Sequence, residues 1–166
     1  MIRRILIAGI GNIFCGDDAF GVEVAQAAMR RAWPESVHVV DFGIRAMDLA
    51  YALCDGGYDA AILVDTVTRG QPPGTLYVIE PEKPDAEAAQ REGALPDGHA
   101  IEPHGVLRLA AAMGGCPRKL ILLGCEPAAT EPQEEACAMS PPVKAAVDRA
   151  VEILARFIGS LLSPSA

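Results

Sequence analysis

The sequence lacks the features that mark several large classes of protein. Aromatic residues make up only 5% of its 166 residues, and 14 basic residues face 22 acidic ones, which gives a net charge of −8. Nucleic acid is not an expected partner, because its phosphates repel an acidic chain without a basic and aromatic cluster. No apolar run reaches the roughly 20 residues that span a bilayer, and no export signal is recognisable. We therefore expect a cytoplasmic protein that does not bind membranes.

The sequence also has few residue patterns of known reactive sites. Its five cysteines are odd in number and never form a C-x-x-C pair, which argues against a secreted disulfide framework and against a thiolate zinc site. Neither G-x-S-x-G nor H-E-x-x-H occurs, so the sequence offers no nucleophile elbow and no helix of the usual zinc-protease type. We expect reduced cysteines and a reaction that uses other residues.

Short apolar runs alternate with amphipathic stretches along a chain that is 51% hydrophobic. The runs are typical of buried strands, and the stretches between them have the spacing of helices. This order predicts an α/β fold over residues 1–166 as one domain, a three-layer sandwich with a mainly parallel, twisted sheet of about five strands and helices on both faces. The predicted strands are 5–8, 37–42, 60–64, 75–80 and 119–124.

The connections give further expectations. Strands 60–64 and 75–80 are predicted to form an antiparallel hairpin, and residues 81–98, rich in proline and charge, a long surface loop. Asp17 is expected to cap the first helix, and Ser140 to cap the last one. No apolar stripe remains beyond the core, so we expect a monomer.

The first loop has two interpretations. The glycines at positions 9 and 11, between a strand and a helix, together with Asp41 at the end of the next strand, are typical of a dinucleotide-binding fold. However, Phe14 replaces the third glycine, and two acids, Asp17 and Asp18, stand where a pyrophosphate needs positive potential. The dinucleotide interpretation stays open as the less favoured alternative.

Two acids and one histidine lie at the ends of three predicted loops. Asp18 follows the first strand, Asp65 directly follows the buried run 62–64, and His99 precedes a helix. Because ligands collect beyond the carboxyl ends of parallel strands, these side chains are expected to meet. Carboxylates with an imidazole suit Ni, Zn, Mn or Fe and leave positions open for substrate. The alternative is that all three serve only as caps or surface residues.

Short motifs next to the predicted strands and helices follow one another over nearly the whole chain. They are Gly9-Ile10-Gly11-Asn12-Ile13, Gly16-Asp17-Asp18-Ala19-Phe20-Gly21-Val22, Asp41-Phe42-Gly43, Ile62-Leu63-Val64-Asp65, His99-Ala100-Ile101-Glu102-Pro103, Val106-Leu107, Gly124-Cys125-Glu126-Pro127 and Met139-Ser140-Pro141-Pro142-Val143. This ordered series resembles the [NiFe]-hydrogenase maturation endopeptidases.

The resemblance implies an endopeptidase that removes the carboxyl-terminal extension of the [NiFe]-hydrogenase large-subunit precursor after nickel insertion. It implies that Asp18, Asp65 and His99 are the metal-binding and catalytic residues, and that the metal is the nickel of the substrate, with Zn, Cd or another divalent ion able to substitute. It implies a substrate-binding role for Asp41 and Gly43. The alternative is a chaperone that checks the same nickel but does not cut the precursor.

Overall fold

The computed structural model describes residues 2–91, 102–128 and 138–163, in which strands and helices alternate. None of the helices in these ranges is long and apolar enough to cross a membrane. A 3₁₀ turn, Gly16–Ala19, precedes the first helix. In chain order, the elements are β1 (Ile5–Ile10), α1 (Phe20–Met29), β2 (Val37–Gly43), α2 (Ala46–Asp55), β3 (Ala60–Thr66), β4 (Leu76–Ile79), α3 (Ala86–Arg91), α4 (Pro103–Met113), β5 (Lys119–Cys125) and α5 (Pro141–Leu162).

The five strands form one sheet in the order β2-β1-β3-β5-β4. The first four strands in this order are parallel to one another, and β4 runs antiparallel to its neighbour β5. The predicted α/β class and the mainly parallel sheet are therefore confirmed. Since the parallel strands end at one edge, the residues that follow β1, β2, β3 and β5 gather there.

The two faces of the sheet bury two separate apolar clusters, which confirms the three layers. Ile5 and Ile7 of β1 pack with α1 and α5, whereas Leu6 and Ala8 pack with α2 and α4. This alternation follows from the period of two along a strand, and strands covered on both faces read as continuous apolar runs. Burying each leucine or isoleucine contributes about 1.5 to 3 kcal/mol. The two clusters therefore stabilise the sheet and hold the carboxyl ends of its strands, where the acids lie, in place.

The prediction of a hairpin between the third and fourth strands was wrong. β3 is a central strand, with β1 on one side and β5 on the other, so neither of its edges is open to β4. β4 instead pairs with the free edge of β5, where Tyr77 lies opposite Gly124. The connection between β3 and β4 therefore has to cross the end of β5.

The prediction of an uninterrupted loop over 81–98 was also wrong for its described part, because α3 lies within it. The Asp85 carboxylate accepts a hydrogen bond from the Ala88 backbone N–H at 3.0 Å, which satisfies a donor at the start of this short helix. Ala89 is buried, and the Gln90 side chain donates to the Ala112 carbonyl of α4. Tertiary contacts with α4 stabilise a segment whose prolines and charges had pointed to a loop.

Candidate functional site

Asp65 is the buried acid of the site. It lies near the end of β3, two residues after Leu63, and only 5% of its surface is exposed. The Thr66 backbone N–H donates to its Oδ1 at 2.7 Å. Burial raises the pKa of Asp65 to about 8, repulsion from Asp18 and Glu102 adds to the rise, and the Thr66 hydrogen bond opposes it. At neutral pH, metal-free Asp65 is therefore mainly a protonated carboxylic acid.

Asp18 is the exposed acid of the same site. It lies in the 3₁₀ turn Gly16–Ala19, and its Oδ2 accepts a hydrogen bond from the Asn12 backbone N–H at 2.9 Å. Its charge is one of the groups that raise the pKa of Asp65. The structure thus brings together two of the three residues that the sequence singled out. The third, His99, lies outside the described residues.

The glycines of the first loop are needed for close packing between backbone segments. A Cβ atom at Gly11 would lie 1.9 Å from the carbonyl oxygen of Asp18, and one at Gly21 would lie 2.1 Å from the carbonyl oxygens of Ile10 and Val64. In addition, the carboxylate of Asp18 already occupies the Asn12 N–H, where a phosphate-binding loop would offer a free donor. The glycine pattern is thus explained by packing and no longer favours a dinucleotide.

Asp17 does not cap the first helix, so that expectation was wrong. α1 begins after Ala19 without a side-chain cap, and the buried Asp17 carboxylate faces two distant segments instead. It accepts hydrogen bonds from the Ala128 N–H at 2.8 Å, the Ser140 N–H at 2.6 Å and the Ser140 hydroxyl at 2.9 Å. Ser140 does precede α5, but its hydroxyl is used for Asp17 rather than for a cap. Asp17 therefore ties the turn that carries Asp18 to the segments around β5 and α5.

Glu102 is a site residue that reasoning from the sequence missed. It directly precedes α4, and its carbonyl oxygen accepts a hydrogen bond from the Val106 N–H at 3.2 Å. Its charge acts on Asp65, so it faces the same site. The available signal was its position immediately before Pro103, which places it at a helix start beside the sheet edge.

Asp41 and Gly43 lie at the end of β2, beside the pair of acids but not part of it. The Asp41 carboxylate accepts a hydrogen bond from the Gln26 side chain of α1 at 3.3 Å. Gly43 has a φ of 53°, a left-handed conformation that favours glycine, and its carbonyl accepts a hydrogen bond from the Gly11 N–H at 3.1 Å. Both residues line a pocket of about 360 Å³ that lies between the first loop and the turn after β2.

A third buried carboxylate, Glu126, has a structural role. It accepts hydrogen bonds from the backbone N–H groups of Arg69 and Gly70 at 2.8 and 3.0 Å and from the Tyr77 hydroxyl. The hydrogen bond from Tyr77 holds the pKa of Glu126 below its usual value, and burial raises the pKa of Tyr77 to about 12. Glu126 thus fastens the connection from β3 to β4 onto the end of β5.

The carboxylates whose charges act on Asp65 are candidate ligands for a divalent cation. The strongest influences on its pKa include two further carboxylates, Asp18 and Glu102, and no basic side chain. A cation in this position would offset their mutual repulsion, and oxygen ligands of this kind suit divalent metals. Within ranges 2–91, 102–128 and 138–163, no three potential metal ligands come close enough together to form a site. The third ligand expected from the sequence, His99, falls in the gap between the first two ranges.

Comparison with known proteins gives one consistent family. The model of the hydrogenase maturation proteases, HycI, matches residues 22–157. The hydrogenase expression/formation protein HupD of Bradyrhizobium diazoefficiens is 30% identical over 160 residues, which cover 93% of this chain and 80% of that protein. The hydrogenase 2 maturation protease of Escherichia coli strain K12 is 30% identical over 156 residues, covering 90% of this chain and 87% of that protein.

Solved structures agree with the sequence comparisons. The hydrogenase maturating endopeptidase HybD from Escherichia coli superposes with a TM-score of 0.69 at 28% identity, covering 95% of this chain and 93% of that one. The hydrogenase 2 maturation peptidase from Thaumarchaeota archaeon SCGC_AB-539-E09 gives a TM-score of 0.68 at 29% identity, covering 94% and 98%. The chain belongs to the hydrogenase maturation protease family.

Proposed function

We propose that this protein removes the carboxyl-terminal extension of a [NiFe]-hydrogenase large-subunit precursor once nickel has been inserted. The observation that carries the proposal is the placement of Asp18 and Asp65 at one sheet edge, where their charges interact. Family membership supplies the class of reaction, which is hydrolysis of a peptide bond. The proposed reaction takes place in the cytoplasm, with the protein acting as a monomer.

In this proposal, the nickel of the precursor is recognised by Asp18, Asp65 and His99. Burial and repulsion from neighbouring carboxylates raise the pKa of Asp65 and so disfavour its charged form. An approaching cation offsets this cost and stabilises the ionised carboxylate. Asp18 is preoriented, because the Asn12 N–H donates to one of its oxygens, and no hydrogen bond within the described part of the chain engages the other, which can contact a ligand or water. When bound, the nickel of the substrate, or Zn or Cd in its place, would supply Lewis-acid chemistry.

The acids also provide a route for protons. A carboxylate within hydrogen-bonding reach of water can take its proton as a general base, and the same group can return it to the leaving amine. Asp65 can act as this base only in its ionised form, which an adjacent cation stabilises, and Asp18 is the alternative base. Asp18 suits the orientation of water, because it is exposed and held by the backbone. No serine or cysteine nucleophile is needed in this scheme.

The experiment compares nickel-loaded and nickel-free precursor, each incubated with the purified protein and read by intact mass. Loss of a carboxyl-terminal peptide from the loaded form alone is the expected result. Asp65→Asn and His99→Ala should abolish it while the fold is kept. Asp55→Asn is the matched control, because Asp55 is exposed at the end of α2 and lies away from the acids. Binding of the loaded precursor without any cleavage would instead establish the chaperone alternative.

A further inference from the structure

The surface beside the acids exposes an unusual set of large apolar side chains. Ile13 is 51% exposed, Phe14 77% and Ile44 65%. The first two lie in the loop after β1, and the third lies in the turn after β2. Clustered exposure of large apolar residues is rare on surfaces that contact only water, and it marks binding sites.

These side chains surround the pocket of about 360 Å³ described above. Its floor includes Val22, which is buried, and its walls include Phe42 and the turn from Gly43 to Arg45. The volume falls in the range of sites that bind small molecules or single side chains. The lining is mainly apolar, so transfer of an apolar side chain from water into it is favourable.

The pocket is held open by hydrogen bonds within its own walls. The Asn12 side chain accepts a hydrogen bond from the Phe14 N–H at 3.0 Å, and the Gly11 N–H donates to the Gly43 carbonyl at 3.1 Å. The Arg45 guanidinium donates to the Phe42 carbonyl at 3.2 Å and lies over the Phe42 ring at 5.8 Å. A preformed pocket of this kind binds without a large ordering cost.

The pocket and the pair of acids are continuous. Asn12 lines the pocket, and its backbone N–H donates to the Asp18 carboxylate, so one residue belongs to both. β2, which leads into the pocket, is an edge strand of the sheet, and β1 is the one strand that pairs with it among the described residues. An extended peptide can therefore lie along β2 and reach both the pocket and the acids.

We propose that this pocket is a specificity subsite, which binds a large apolar side chain of the precursor next to the peptide bond that is cut. The inference rests on the proposed function and adds the residues that select the segment, Phe14 and Ile44 above all. The balance of charge decides the class of occupant. Acidic Asp41 and basic Arg45 both line the pocket and are paired with Gln26 and Asp48, so neither sign of charge is favoured, and the apolar lining disfavours burial of any charge.

The test measures kcat and KM for cleavage of nickel-loaded precursor by Phe14→Ser, Ile44→Ser and the control Met29→Ser. Met29 is also exposed, 48%, but it ends α1 away from the pocket. Loss of uniform apolar binding raises KM with little change in kcat. For each pocket variant we expect kcat/KM to fall by about 10-fold or more, since 10-fold is the lower end of the discrimination for one methylene group. The control should match the unaltered protein.

A second arm changes the substrate. Apolar residues of the precursor on either side of the cut, located from the mass of the released peptide, are replaced one at a time by serine. One replacement should reduce cleavage by the unaltered protein, and the same replacement should add little further loss with Ile44→Ser. Fully additive losses, or pocket variants equal to Met29→Ser, would overturn the subsite.

The two failures are distinguishable. If the unaltered protein does not cut the unaltered precursor, the proposed function fails. If it cuts and the pocket variants cut equally well, only the subsite fails. If the serine variants unfold, the milder changes Phe14→Leu and Ile44→Val take their place. Both keep an apolar side chain, and each should raise KM above that of the unaltered protein by a smaller factor than the one expected for serine.

Discussion

Replacing Asp65 by Asn should stabilise the metal-free protein, by an amount that grows with pH. In the unfolded chain this carboxyl ionises near 3.8, whereas in the folded protein its pKa is about 8. Folding therefore takes up a proton between these two values. A raised folded pKa contributes stability that is fully present below 3.8 and is lost as the pH rises through 8.

The magnitude follows from the size of this shift. Each unit of pKa difference corresponds to about 1.4 kcal/mol, so the wild type should lose stability relative to Asp65→Asn by up to about 1.4 kcal/mol for every unit between pH 4 and 8. At pH 7 the accumulated cost of Asp65 is of the order of 4 kcal/mol. The amide must also be buried, so the gain at any single pH is smaller. The slope with pH is the sharper quantity.

The assay is urea unfolding, followed by circular dichroism at several pH values from 5 to 8 in the presence of EDTA. Asn can keep the hydrogen bond from the Thr66 N–H, which limits other changes. Asp55→Asn, a change at an exposed residue, is measured in parallel as the control, and the stability difference between Asp65→Asn and the wild type should grow with pH. A difference for Asp65→Asn that stays flat with pH would mean that Asp65 ionises normally in the folded protein, and the reasoning from burial would be refuted.

Three further predictions concern the surrounding framework. Gly21→Ala should destabilise the protein by several kcal/mol, because the new Cβ would lie 2.1 Å from two carbonyl oxygens. Gly159→Ala in α5, where the new Cβ would meet open space, should instead stabilise the protein by about 0.5 to 1 kcal/mol. Thermal unfolding of both variants checks this pair of expectations. Asp17→Ala should lower the free energy of unfolding, measured with urea, by about 2 to 4 kcal/mol, because it removes three hydrogen bonds and leaves two backbone donors unpaired. A loss below about 0.5 kcal/mol would contradict the role of Asp17 in holding these segments together. The pKa of Glu126 is lowered in the folded protein, so this residue contributes stability that is present above pH 4.5 and is lost as the pH falls through its folded pKa. Below pH 4.5, the free energy of unfolding of Glu126→Gln should therefore fall less steeply with pH than that of the wild type. Equal slopes would exclude this role.

The sequence predicted the positions of the two acids because the strong local signals agree there. The run Ile62-Leu63-Val64 is buried on both faces, so Asp65, the next residue, had to emerge near the carboxyl edge of the sheet. The position of Asp18 follows from Gly11, because a glycine lets the loop after β1 pack directly against the backbone of Asp18. Short apolar runs and obligatory glycines are properties of the local sequence, and they can be read from it.

Other features depend on residues that are distant along the chain. The partners of Asp17 lie 111 and 123 residues away, so no local pattern could show that it was a tie rather than a cap. The strand predicted at residues 75–80 is confirmed by β4, but no local pattern indicates which edge of the sheet it joins. Glu102 was missed as a site residue for the same reason, because its effect on Asp65 arises only from the placement of α4.

The position of β4 at the outer edge of β5 constrains the order in which the chain folds. Within the described residues, β4 pairs with β5 alone, and its anchor Glu126 lies 49 residues beyond Tyr77. During synthesis, β4 leaves the ribosome well before the strand that it needs. Contacts of such long sequence separation form late, since the intervening chain must first be closed into a loop. The β4 edge of the sheet, which β5 separates from Asp65, is therefore completed among the last steps of folding, and a chain cut short before residue 119 lacks the strand with which β4 pairs.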